Sequence, residues 1–220
     1  GSAFKPFTYL TALEVMPTKT KKGWRLDCKQ EDGGECKVKD VSNVCIPMGR
    51  GRPPHCIKNY DGKFKGPIPL RQGLAESRNA ATVWLARRET LGLKKIIETA
   101  HRIGIKSPLE TYPTTALGGG GAEVTLLELT NAFRTIAAGG ILAEPYIIEE
   151  IKDTQGLVVA PQNESKLVIK PEIALKMQEA LRGTIRLPLG TGNSLDNTAT
   201  WKKNRFPFPV AGKSGTSDDF

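Results

Sequence analysis

Four cysteines, Cys28, Cys36, Cys45 and Cys56, fall within one stretch of 29 residues, and the rest of the 220-residue chain has none. Their spacing, C-x7-C-x8-C-x10-C, lacks the short C-x2-C pairs that hold zinc, and the only nearby imidazole is His55. Two disulfides stapling a small, loop-rich insertion are expected, which requires an oxidising compartment such as a periplasm or a cell exterior. Zinc binding and free thiols are the alternatives. Three pairings are open, and the spacing does not choose among them.

The surroundings of the cysteines support an insertion. From Thr18 to Gly66 the chain is rich in glycine, proline and charge, with almost no apolar periodicity, so it is expected to add little to the main core. Before it, residues 3 to 15 read as a helix that ends near Met16-Pro17, because proline disfavours helix in the residue before it. After it, Leu70 to Thr90 and Leu93 to Ile103 read as helices, the first interrupted at Ser77-Arg78-Asn79, with glycines at Gly92 and Gly104 marking helix ends. Glu123 to Ala138 carries an apolar stripe of Val124, Leu127, Leu129, Phe133, Ile136 and Ala137. YIIEEIKD and LVVAP read as short strands around a Thr154-Gln155-Gly156 turn. Pro171 opens a helix to about Gly183, and FPFPVAGKSGT reads as a strand bearing Lys213. The expected division is 1–17, a first helix; 18–59, a cysteine-rich insertion; and 60–220, the remainder of the core.

Charge bounds the partners. A net charge of +9 and a pI near 9.4 suit an anionic partner. The basic residues are scattered, however, aromatics are few and no nucleic-acid module is recognisable, so nucleic-acid binding is not expected. Gly212-Lys213-Ser214-Gly215-Thr216 resembles the end of a phosphate loop, but the residue five before Gly212 is Pro207 and no helix-forming sequence follows, which rejects a nucleotide site.

Three short motifs remain. Ser2 and Lys5 lie three apart at a helix start, a spacing that puts an amine within reach of a hydroxyl on one face. The bland alternative is a helix cap at Ser2 with an exposed lysine. Ser77-Arg78-Asn79 lies between helices, and Lys213-Ser214-Gly215-Thr216 ends an apolar run. Together, in this order, they resemble the S-x-x-K, S-D-N and K-T-G set of the penicillin-binding proteins and β-lactamases. Beyond the motifs, GSAFKPFTYLTALE, NYDGKFKGPIPLRQGLAESRN, ALGGGGAEVTLLELTNAFRTIAAGG, LRGTI with GTGN, and FPVAGKSGTSDDF resemble the transpeptidase domain of class A penicillin-binding proteins. The cysteine-rich stretch departs from that pattern, Arg78 occupies the variable middle position, and Ser214 replaces the commoner threonine.

The resemblance implies an α+β fold of the penicillin-binding-protein and β-lactamase type. It implies an incomplete one, with the helical part and the Lys213 strand but most of the antiparallel sheet missing. The sequence is expected to be a fragment, with flanking strands, a glycosyltransferase domain and a membrane anchor lying outside it. Unpaired strand edges should then keep the isolated chain from folding to an active domain, an expectation that a cooperative unfolding transition in the isolated chain would overturn. By resemblance Ser2 is the nucleophile, Lys5 its base and Ser77 a proton relay, while Asn79 holds Lys5 and a substrate amide. Lys213 supplies positive potential, and Ser214, Gly215 and Thr216 bind substrate, with the Ser2 and Thr216 N–H groups facing the oxyanion. No cofactor or metal is implied. The implied partners are peptidoglycan stem peptides and β-lactams, at the outer face of a bacterial cytoplasmic membrane reached only through the missing anchor.

Two other readings share these motifs. A β-lactamase or D,D-carboxypeptidase would resolve the acyl-enzyme with water, and a penicilloyl sensor or scaffold would not turn over. The insertion, with twelve basic residues in and just after it against six acidic ones, could also form a disulfide-stapled lobe that contacts cell-wall assembly proteins.

Overall fold

The helix α1 (Lys5–Glu14) has apolar or small residues on nearly every side, and a helix of that kind belongs inside a protein. In a computed structural model, which describes residues 1–15, 24–28, 35–156, 158–159, 164–195 and 208–216, every residue of α1 from Lys5 to Leu13 is buried. A 3-10 turn, Ser2–Phe4, leads into it, and Pro6 sits in its first turn, where a missing N–H costs nothing. Its polar groups find partners within the protein: Thr8 Oγ1 donates to Ala116 O at 3.0 Å, Thr11 Oγ1 to Phe7 O at 2.7 Å, and the Tyr9 hydroxyl meets Thr82 Oγ1 at 3.3 Å. The Met16-Pro17 step lies outside the described residues.

Five further helices surround α1: α2 (Leu70–Ala75), α3 (Asn79–Ala86), α4 (Gly92–Arg102), α5 (Leu126–Ala137) and α6 (Pro171–Arg186). α1 packs directly on α2, α3, α4 and α6. The expected break at Ser77-Arg78-Asn79 separates α2 from α3, and α3 stops at Ala86, short of Thr90. Gly92 opens α4 instead of closing the preceding helix; its φ of 69° serves the turn between them. Of the stripe expected along α5, Ile136 is buried and Val124, Leu129 and Phe133 pack on the core beside Asn131, Ala132 and Thr135, whereas Leu127 is 62% exposed and Ala137 lies outside, which corrects those two positions. The helix starts at a capping box, in which Thr125 accepts from the Glu128 N–H and Glu128 accepts from the Thr125 N–H. Hydrogen bonds from Ser107, led by its hydroxyl, and from Thr125 hold the Glu128 carboxyl down at about 2. α6 runs past Gly183, which is a contact point: a Cβ there would fall 3.2 Å from Arg71 Cγ on α2.

Among the described residues, strand structure is confined to antiparallel pairs. β1 (Lys37–Asp40) pairs with β4 (Gly66–Pro69), β2 (Cys45–Ile46) with β3 (His55–Cys56), β5 (Ile141–Ala143) with β8 (Ser165–Leu167), and β6 (Ile151–Lys152) with β7 (Val158–Val159). The β6–β7 pair closes around the expected turn, while Leu157, Ala160 and Pro161 of that reading lie outside the described residues. The expected strand at Lys213 is not formed. Residues 208–216 carry no ladder, because a strand exists only through a hydrogen-bonded neighbour and none of the described residues supplies one.

The disulfides are Cys28–Cys36 and Cys45–Cys56. The cysteine-rich segment is more deeply built in than its composition predicts. Trp24, Leu26 and Val38 belong to the main core, and Val44, Ile46 and Ile57 form a second cluster on Ala80 and Val83 of α3. Strands of two to four residues, with at most two side chains of each buried, are too short to leave a periodic signal. Among the described residues no helix is long and apolar enough to cross a membrane.

Candidate active site

The start of α1, the α2–α3 break and the 208–216 segment converge on one cleft of about 590 Å³, lined by Ser2, Ser77, Asn79, Thr191, Ser214 and Thr216, with Lys58, Tyr60 and Lys65 at its edge. Ser2 sits in the first helical turn with its N–H in a position that has no intrahelical acceptor. It makes no side-chain cap, so the capping alternative does not apply.

Lys5 lies behind this cleft with no exposed surface. Its Nζ donates to Ser77 O at 2.7 Å, Ser77 Oγ at 2.9 Å and Asn79 Oδ1 at 2.5 Å. Those three bonds use all three ammonium protons. The expected contact from Lys5 to the Ser2 hydroxyl is therefore absent among the described residues, even though the two share a turn. Burial, and then the charges of Lys213 and Arg78, lower the Lys5 amine to about 7.

Ser77 is the only described residue other than glycine with positive φ, at 55°. That conformation costs a serine about 1–3 kcal/mol. It lets one residue present both its carbonyl and its hydroxyl to Lys5. Asn79 opens α3 without capping it; its Nδ2 donates to Lys58 O at 2.9 Å while its Oδ1 faces Lys5. The cap comes from elsewhere in the chain: Asn59 Oδ1 accepts the Ala80 N–H at 3.2 Å.

Arg78 lies in the cleft wall with its guanidinium engaged in an ion network that is buried on the Asp40 side and open on the Asp61 side. Its Nε donates to Asp40 Oδ2 at 2.9 Å and its Nη1 to Asp61 Oδ2 at 2.8 Å, and Nη2 reaches Lys63 O at 2.5 Å. Burial opposes its charge, but the bonds to Asp61 and Asp40 outweigh that and raise its pKa further; Asp61 is in turn held low. Asp40 has no exposed surface and also accepts from Asn59 Nδ2 and Lys65 N. Arg78→Met should therefore leave a buried carboxylate uncompensated and cost about 3–5 kcal/mol, read as a lowered midpoint in chemical denaturation. An unchanged midpoint would contradict the burial of this network.

Lys213 is half-buried, and burial lowers its pKa to about 8. Its Nζ bonds Ser214 O at 3.1 Å and Ser214 Oγ at 3.3 Å, and Ser214 Oγ lies 2.6 Å from Thr191 Oγ1. Thr191 belongs to the Gly190-Thr191-Gly192-Asn193 turn, which is tied to α2 by its N–H to Ala75 O at 3.0 Å. Gly215 and Thr216 run against the first turn. A Cβ on Gly215 would lie 3.5 Å from Ala3 Cβ, and one on Gly1 would strike Thr216 O at 2.4 Å.

Gly118 completes the wall and was not read from the sequence as part of the site. With φ at 76°, it approaches so closely that a Cβ there would lie 2.1 Å from Gly1 O and 2.7 Å from Phe4 Cβ. Gly118→Ala should combine left-handed strain with this clash, lowering stability by about 2 kcal/mol or more and displacing Ser2. Its thermal midpoint should fall by several degrees, and unchanged behaviour would mean the first turn tolerates an outward shift. The signal for Gly118 in the sequence is only a run of four glycines, which does not say which one meets the nucleophile turn. The roles of Asn59, Asp40 and Asp61 could not be read along the chain, since the partners Asp40, Ala80 and Arg78 that define them lie 17 to 38 residues away.

A family model described as the penicillin-binding protein transpeptidase domain matches residues 37–220. The chain belongs to the penicillin-binding protein transpeptidase family. Ser2 and Lys5 precede the matched residues, but curated relatives match along the whole chain. Penicillin-binding protein 1A of Rickettsia bellii is 31% identical over 236 residues, covering 100% of this chain and 27% of its own length. That of Aquifex aeolicus is 35% identical over 229 residues, covering 100% and 26%. The chain thus spans about a quarter of the length of these relatives. Among solved structures, penicillin-binding protein 1A from Haemophilus influenzae superposes with a TM-score of 0.70 at 24% identity, covering 89% of this chain and 32% of that one. The D,D-transpeptidase domain of a peptidoglycan glycosyltransferase from Eggerthella lenta gives 0.69 at 20% identity, covering 100% and 54%. At such identities the structures speak to the fold alone. They agree with the mixed helical and strand architecture, with little sheet, found for this member of the penicillin-binding protein transpeptidase family.

Proposed function

We propose that this chain carries the acyl-transfer centre of a serine D,D-transpeptidase that cross-links peptidoglycan stem peptides and is trapped by β-lactams. The observation that supports it best is the buried amine of Lys5, poised near neutrality and held by Ser77 and Asn79 behind a cleft that opens on Ser2. A serine hydroxyl is nearly inert at neutral pH and needs a base. When Lys5 loses one proton, one of its three bonds is freed and its lone pair can take the proton of Ser2, which attacks the carbonyl between two D-alanines. The C–N bond then breaks as Ser77 Oγ passes the proton to the leaving amine, and an amine of a second stem peptide displaces Ser2 from the ester. Lys213, Ser214 and Thr216 would hold the terminal carboxylate, and the N–H groups of Ser2 and Thr216 the oxyanion, each donor worth about 3 kcal/mol.

Resolution by an amine is favoured over resolution by water. The carboxylate of Glu76 on the cleft wall is already bonded to Lys65 Nζ at 2.5 Å and Gln72 Nε2 at 2.7 Å, and that of Asp61 to Arg78. Both are already engaged by cations, which speaks against either as a dedicated base for a hydrolytic water. A setting outside the bacterial cytoplasmic membrane, on a longer polypeptide that also bears a glycosyltransferase domain and an anchor, belongs to the same proposal and accords with the two disulfides. Intact-mass time courses of the full-length protein with benzylpenicillin are the test. An adduct on Ser2 that persists for many minutes is expected; turnover within seconds would assign a β-lactamase, and no adduct would sink the acyl-transfer reading.

A further inference from the structure

The short β2–β3 ribbon stands directly behind the catalytic amide. Its ladder has only two residue pairs, Cys45 with Cys56 and Ile46 with His55, extended by the Ile57 N–H to Val44 O at 2.9 Å. The connecting residues 47–54 are exposed throughout. A two-stranded ribbon of this size is marginal by itself. Packing of Val44, Ile46 and Ile57 on α3, the bond from Arg87 Nη1 to Cys45 O at 2.9 Å and the Cys45–Cys56 disulfide hold it.

Two residues beyond Cys56, the Lys58 carbonyl accepts from Asn79 Nδ2, and one residue further Asn59 caps α3 at Ala80. An amide side chain has a donor end and an acceptor end. While Lys58 O claims the donor end of Asn79, the acceptor end must face Lys5. Should that carbonyl move, rotation of the amide would bring an NH2 group against the Lys5 ammonium, replacing an attraction with a repulsion.

We propose that the Cys45–Cys56 disulfide is a positioning element of this active site, fixing the Lys58 carbonyl that orients the Asn79 amide toward Lys5. The inference rests on the acyl-transfer reading for its effect on rate, but the contact it describes can be measured without substrate. The other disulfide serves as an internal control. Cys28–Cys36 secures the segment that bonds the start of α2, through Leu70 N–H to Cys36 O and Arg71 N–H to Leu26 O, and makes no bond to Lys5, Ser77 or Asn79.

The test compares full-length wild type with the Cys45→Ser/Cys56→Ser and Cys28→Ser/Cys36→Ser variants, each also in an Asn79→Ala background. The second-order rate of Ser2 acylation by benzylpenicillin should fall about ten- to hundredfold on losing Cys45–Cys56, as expected for one misdirected charged hydrogen bond. Losing Cys28–Cys36 should change it less than about threefold. In the Asn79→Ala background, removal of Cys45–Cys56 should cost nothing further in rate while lowering the thermal midpoint as before. An equal loss of rate in both backgrounds, or no loss with Asn79 present, would overturn the proposal. Titration of 15N-labelled Lys5 Nζ reads the same contact without chemistry: its midpoint should move when Cys45–Cys56 is lost and stay when Cys28–Cys36 is lost. Absence of a Ser2 adduct in the wild type would therefore count against the functional reading, and the Lys5 titration would still decide this one.

Discussion

Ser2→Ala is expected to abolish covalent capture of benzylpenicillin, lowering the acylation rate by at least about 10⁴-fold, the scale seen when the nucleophile of a catalytic unit is removed. The fold should survive, because the Ser2 hydroxyl bonds nothing among the described residues and the backbone bond from Lys5 N–H to Ser2 O does not depend on the side chain. The variant should keep the wild-type thermal midpoint and should still bind β-lactams reversibly through Lys213, Ser214 and Thr216. Labelling of Ser77 or Ser214 in place of Ser2 would move the nucleophile to the other side of the cleft. Continued labelling at the wild-type rate would exclude Ser2 as the nucleophile.

The second large effect concerns Lys5 and pH. A base with its pKa lowered to about 7 is charged below that pH and competent above it, so acylation should rise tenfold per pH unit up to about pH 7. Lys213, lowered to about 8, must be charged to hold a carboxylate, so the rate should decline above about pH 8. The two lysines interact, so these limbs belong to the pair. Lys213→Gln should remove the alkaline limb. It should also move the acid limb upward, since the charge that helps to depress Lys5 is gone. Lys5→Arg keeps the charge but cannot shed it, and should cost about 10²–10⁴-fold across the whole range. A flat profile from pH 5 to 9 would contradict a lysine base. The same shift has a cost for stability: between about pH 7 and 10.5 the unfolded chain binds a proton at Lys5 that the folded chain does not. Folding should therefore gain stability as pH rises through that window, and this gain should vanish in Lys5→Met.

Much of this site could be read along the chain because its motifs are local. Ser2 and Lys5 are bound to share a turn, Ser77 to Asn79 interrupt an otherwise helical pattern, and the cysteine spacing speaks for disulfides over zinc. The helix positions followed for the same reason, apart from ends that shift by a few residues. What the sequence misjudged was tertiary. Residues 24–28 and 35–59 looked peripheral, yet Trp24, Val38 and Ile57 are core, and Arg78 had no role until Asp40 and Asp61 were found beside it.

The sequence by itself determined the residue types of the site, their order and the helix that starts at the nucleophile, because these depend on neighbours within a turn. Only the tertiary structure decided that Lys5 bonds Ser77 and Asn79, at separations of 72 and 74 residues, and leaves Ser2 free. It likewise chose Cys28–Cys36 and Cys45–Cys56 among three pairings and brought Gly118 against Gly1 across 117 residues. The physical reason is that burial, which deprives the lysine of water and obliges it to find protein acceptors, is a property of the packed core and of no segment alone.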